Sequence, residues 1–76
     1  MENKKEILNS RAKKHIQRLI DNPDYWGEIK EVNEMNTIVE DAKIFLSNKE
    51  MNDWNNYALK STTIESLKYL ISILHV

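Results

Sequence analysis

The chain has no cysteine, and only one glycine and one proline among 76 residues. The missing thiols exclude a disulfide staple, a thiolate nucleophile and a cysteine-based metal site. A single glycine, Gly27, excludes the glycine-rich cradles that hold phosphates or dinucleotides. Together with the lone Pro23 it leaves little material for tight hairpins, and period-two alternation is absent as well. No apolar run approaches the roughly 20 residues needed to span a bilayer. Lys4 and Lys5 are followed by mixed polar and apolar residues, unlike the continuous apolar core of a secretory signal. A cytoplasmic protein with no membrane association is the expectation.

Arginine is scarce, with two against nine lysines, and asparagine is frequent. Small size and this composition suggest a phage or mobile-element origin. The net charge of −1 hides a polarity along the chain. Residues 1–20 carry six cations against two carboxylates, for +4, whereas residues 21–56 carry nine carboxylates against three lysines, for −6. A basic first third beside an acidic middle sets fields that choose partners, or it joins two segments of one fold.

Helical spacing runs through the whole sequence. It predicts a single all-α domain over 1–76: a small antiparallel three-helix bundle with helices at about 2–21, 23–47 and 49–75. In the first helix Leu8, Ala12, Ile16, Leu19 and Ile20 form the apolar stripe, with Ile7 at its edge. Asn22-Pro23-Asp24 reads as the N-cap and first turn of the second helix. Its stripe, Val32, Met35, Val39, Ala42 and Leu46, advances by coiled-coil steps of 3, 4, 3 and 4. Ser47-Asn48-Lys49-Glu50 has the form of a capping box and starts the third helix. Ser61-Thr62-Thr63 places three poor helix formers together, so a break near 61–63, giving four helices, is the alternative. At Thr37-x-x-Glu40 the stripe continues in phase and the helix is expected to run through.

The segment Ile64–Val76 carries the strongest functional signal. At about 100° per residue, Ile64, Leu67, Leu70, Ile71 and Leu74 make one face, and Tyr69, Ile73 and Val76 a second. A helix apolar most of the way round is buried on several sides. In so short a chain the extra cover is expected from another molecule, with Tyr69, Leu70, Ile73 and Val76 forming a symmetric contact in a homodimer or larger oligomer.

Catalytic parts are lacking. His15 and His75 sit in different helices without metal-ligand spacing, and His15 is expected at the surface or its boundary. Glu28, Glu31 and Glu34 recur every three residues but lie off the apolar stripe, where a solvated face is expected. No catalytic residue, metal or cofactor is assigned. The leading expectation is a non-enzymatic interaction protein, a regulator or inhibitor of a larger protein. One alternative is nucleic-acid binding by Lys4, Arg11, Lys14 and Arg18 on the first helix. Another is an anionic ligand, such as a nucleotide, held at the start of the second helix by Arg18, Tyr25 and Trp26. Solvated charge, pairing partly with the acidic middle, is the plainer account of that basic face.

Overall fold

The computed structural model describes residues 3–74, and among these all the regular secondary structure is helical. Four α-helices follow one another: α1 (Lys4–Asp21), α2 (Ile29–Ala42), α3 (Asn48–Ala58) and α4 (Thr63–Leu74), with a 3-10 turn at Pro23–Tyr25 between the first two. None of these helices is long and apolar enough to cross a membrane.

Local chemistry fixes the boundaries. The Asn3 side chain accepts a hydrogen bond from the Lys5 amide at 2.8 Å and so caps α1. At the other end both the backbone and the side-chain amide of Asn22 donate to the Arg18 carbonyl, closing the last turn. Asn22 therefore terminates α1 instead of starting α2. The second helix begins six residues later than Pro23, because Gly27 takes φ +79°. That left-handed conformation cannot lie inside a right-handed helix, and only glycine adopts it without a steric penalty. Helix α2 also ends early, at Ala42, where three-residue turns carry the chain through Ile44 and Phe45.

The capping box forms as the sequence reads: Ser47 Oγ accepts from the Glu50 amide at 3.1 Å, and Glu50 Oε1 accepts from the Ser47 amide at 2.9 Å. The 49–75 segment is divided, as its serine and threonines allow. Helix α3 stops at Ala58, and Thr62 Oγ1 accepts from the Glu65 amide to begin α4. At Thr37, in contrast, the hydroxyl donates to the Asn33 carbonyl and α2 passes through unbroken.

Helix α1 packs between α2 and α4, and α4 packs between α1 and α3. The result is flat, 33 × 33 × 18 Å between Cα extremes. Leu8, Ala12, Ile16 and Leu19 of α1 meet Leu67, Leu70 and Leu74 of α4, with Ile38, Ala42, Leu46, Met51 and Trp54 completing the core. Trp54 ties α3 to α4 directly, its indole Nε1 donating to the Ser66 carbonyl at 2.8 Å.

Two packing expectations need correction. On α2 the expected stripe is buried along most of its length, Ala42 and Leu46 in the core and Met35 and Val39 packed against it, but Val32 is 45% exposed, while Ile38 is fully enclosed and Glu31, off the stripe, is only 6% exposed. The helix is turned so that its acidic edge meets the cations of α1. On α4 one residue of the expected contact leaves it: Leu70 is fully enclosed and cannot present contact surface, whereas Ile64, Tyr69, Ile71 and Ile73 are partly buried against the core. Flanking by α1 on one side and α3 on the other supplies part of the cover. Tyr69 also stacks on Tyr57, with ring centroids 4.6 Å apart. Val76 and His75 lie outside the described residues.

Candidate functional site

The basic arc of α1 faces the acidic edge of α2, and the two partly neutralise each other. Arg11 donates from Nη1 to Asp41 Oδ2 at 2.6 Å, and its Nη2 lies 3.6 Å from Glu34 Oε1. All three side chains keep contact with water, so this bridge is worth at most about 1 kcal/mol.

One turn further on, His15 is 1% exposed, not at the surface as its sequence position implies. Its Nε2 stands 3.6 Å from Glu31 Oε1, too far for a hydrogen bond, and neither ring nitrogen has a hydrogen-bond partner. Tyr25 covers the ring edge-on at 6.1 Å. The three carboxylates that recur along α2 are thus separated in use. Glu28 is exposed, Glu31 is sealed beside His15, and Glu34 leans on Arg11. Among the described residues no group of three or more metal-ligating side chains converges.

The aromatic pair that could have faced an anion is used structurally. Trp26 Nε1 donates to the Leu19 carbonyl at 2.8 Å, fastening the 3-10 turn onto the end of α1. Tyr25 is half-buried over His15. The N-terminus of α2 lies beyond both, at Ile29, with Glu28 before it and Glu31 in its first turn. Carboxylates at a helix N-terminus complement its positive end and oppose a second anion there.

What remains open is a groove between the first half of α1 and the end of α2. A hollow of about 280 Å³ is walled by Ile7 and Ile44, with Leu8 and Phe45 beneath and Lys4, Arg11 and Asp41 at its rim. A second hollow of about 330 Å³ adjoins it across Ile7 and Arg11 and is bordered by Glu6, Ser10 and Lys14. Ile44 is 77% exposed and Ile7 42% exposed. Lys4, Lys14 and Arg18 are exposed, and no carboxylate among the described residues pairs with them. Of the residues assigned to a basic face from sequence, then, three stay free on one arc and Arg11 is committed to α2.

Ile44 and Phe45 carried no sequence signal for this groove. They read as a continuation of the second helix, and only its early end turns them toward α1. No family model, no curated protein and no solved structure matches the chain.

Proposed function

We propose that this chain is a small, non-enzymatic, cytoplasmic interaction module, a regulator or inhibitor that docks a larger protein through the α1–α2 groove. The observation that carries the reading is the pairing of two exposed isoleucines, Ile7 and Ile44, with an unpaired Lys4 at the rim of their hollow and Lys14 at the adjoining one. Isolated exposed apolar residues are ordinary, but an apolar hollow with a polar rim has the anatomy of a protein interface. The short connections between successive helices favour an antiparallel bundle as the scaffold.

The homodimer inferred from α4 loses part of its support with Leu70 enclosed, and docking of a different protein is the reading retained. The test is a photo-crosslinking residue at Ile44, with a control at the exposed Lys13 on another part of α1. The expected result is a discrete heavier adduct from Ile44 only, lost in Ile7→Asp. Adducts of equal yield from both positions would refute the groove as the docking surface.

Nucleic-acid binding is the second reading, favoured by the free arc of Lys4, Lys14 and Arg18. It requires affinity that falls steeply as salt rises. No binding to duplex or single-stranded DNA or RNA at 50 mM salt would end it.

A further inference from the structure

We infer that the groove takes an acidic amphipathic helix of a partner protein, with one large apolar side chain seated between Ile7 and Ile44 and carboxylates facing Lys14 and Arg18. This rests on the docking function proposed above and specifies the chemistry of what docks.

Size comes first. The hollow of about 280 Å³ shares Ile7 and Arg11 with the adjoining one of about 330 Å³, so the groove is elongated along α1 and open to solvent. It suits one or two side chains presented by a longer structure. Length comes second. Lys4, Ile7, Arg11, Lys14 and Arg18 follow a single face of α1, and 14 residues at about 1.5 Å each give an arc of roughly 21 Å. A partner helix of about four turns matches that arc, and helix-in-groove docking reads such a face through residues on successive turns.

Charge decides the rest. Arg11 faces two carboxylates, Asp41 and Glu34, so with Lys4, Lys14, Arg18 and Glu6 the arc carries four cations against three carboxylates, and its unpaired cations are Lys4, Lys14 and Arg18. The groove is therefore cationic where it is free and apolar where it is deep. Lys14 and Arg18 lie roughly 10 and 16 Å along the helix axis from Ile7. Partner carboxylates two and three turns from the apolar anchor meet them. A phosphate backbone fits less well, since the exposed Ile7 and Ile44 offer it neither charge nor a hydrogen bond. Phosphates gain nothing from an isoleucine, whereas an amphipathic helix uses both features.

The experiment titrates two designed 18-residue helical peptides into the full-length isotope-labelled chain and follows backbone amide shifts by NMR. Both peptides carry leucines along one face; the polar flank is glutamate in one and lysine in the other. The glutamate peptide is expected to shift Ile7, Lys14 and Ile44 and to bind about tenfold more tightly than its lysine twin, as two rim ion pairs near the upper end of their range allow. In Lys14→Glu/Arg18→Glu the preference should reverse; both positions are exposed, and an unchanged circular dichroism spectrum will verify the fold. Binding of the two peptides within twofold of each other overturns the inference, as does glutamate-peptide binding that survives the double reversal. Absence of peptide shifts, or self-association of the chain that Ile7→Asp abolishes, also overturns it. Should Ile44 crosslink a partner whose capture ignores the Lys14 and Arg18 reversals, docking stands and the acidic-helix partner falls. No Ile44 adduct and no peptide shift would remove both.

Discussion

Replacing Trp54 by phenylalanine tests whether this indole is a core clamp or a binding hot spot. Trp54 is almost wholly enclosed, and its Nε1 donates across the α3–α4 break to the Ser66 carbonyl at 2.8 Å. Phenylalanine deletes that bond, worth about 1 kcal/mol net, because the carbonyl keeps its position in the first turns of α4. The space left by the missing indole edge adds on the order of 1 kcal/mol. The sum, about 2 kcal/mol, is large for this chain, since about 0.05–0.15 kcal/mol per residue gives a total near 4–11 kcal/mol. With an unfolding entropy of about 2.1 cal/mol/K per residue, the loss lowers Tm by roughly 12 °C. Thermal melts followed by circular dichroism at 222 nm, paired with urea titrations, read both quantities. A fall in Tm under about 3 °C would refute the clamp, and unchanged stability with lost partner binding would show that the indole faces outward.

Other substitutions probe the remaining elements. Gly27→Ala meets no neighbouring atom within 4 Å, yet it forces an alanine to φ +79°; a loss of about 1 kcal/mol is expected in urea unfolding, and a gain would show that the loop relaxes to negative φ. His15→Leu combined with Glu31→Leu removes two ring nitrogens without hydrogen bonds and a nearly buried carboxylate. Calorimetry should show stability unchanged or raised by about 1–2 kcal/mol, and a clear loss would mean that the pair positions α2. Leu70→Ala should cost about 2–5 kcal/mol, whereas Ile44→Ser should stay within about 0.5 kcal/mol by the same urea assay. Equal losses would contradict the assignment of one to the core and the other to the groove.

Chain-local signals were readable in advance and helix-to-helix choices were not. The all-α class, the end of α1, the Ser47–Glu50 box and the weak point at 61–63 follow from capping chemistry and propensity within a few residues. The start of α2 was missed because Gly27 can sit in a helix at modest cost or leave it at none, and only its φ decides. The burial of His15 and Glu31 is not legible for a different reason: the two side chains meet across α1 and α2, and periodicity within either helix cannot show it. The apolar spread of α4 is legible as burial on more than one side, but its periodicity does not identify α1 and α3 as neighbours.

The packing order α2–α1–α4–α3 divides the molecule into two pairs of sequence neighbours, joined by the docking of α1 on α4. That joining step closes a loop of about 50 residues, at an entropic cost of roughly 3–4 kcal/mol by the logarithmic rule. Residues 43–46 connect the halves, so a cut there would leave each half with a partner helix and an unfilled seam of leucines. Two such pieces, mixed in a tube, should find each other and rebuild the whole, which makes this small chain a natural candidate for a split reporter.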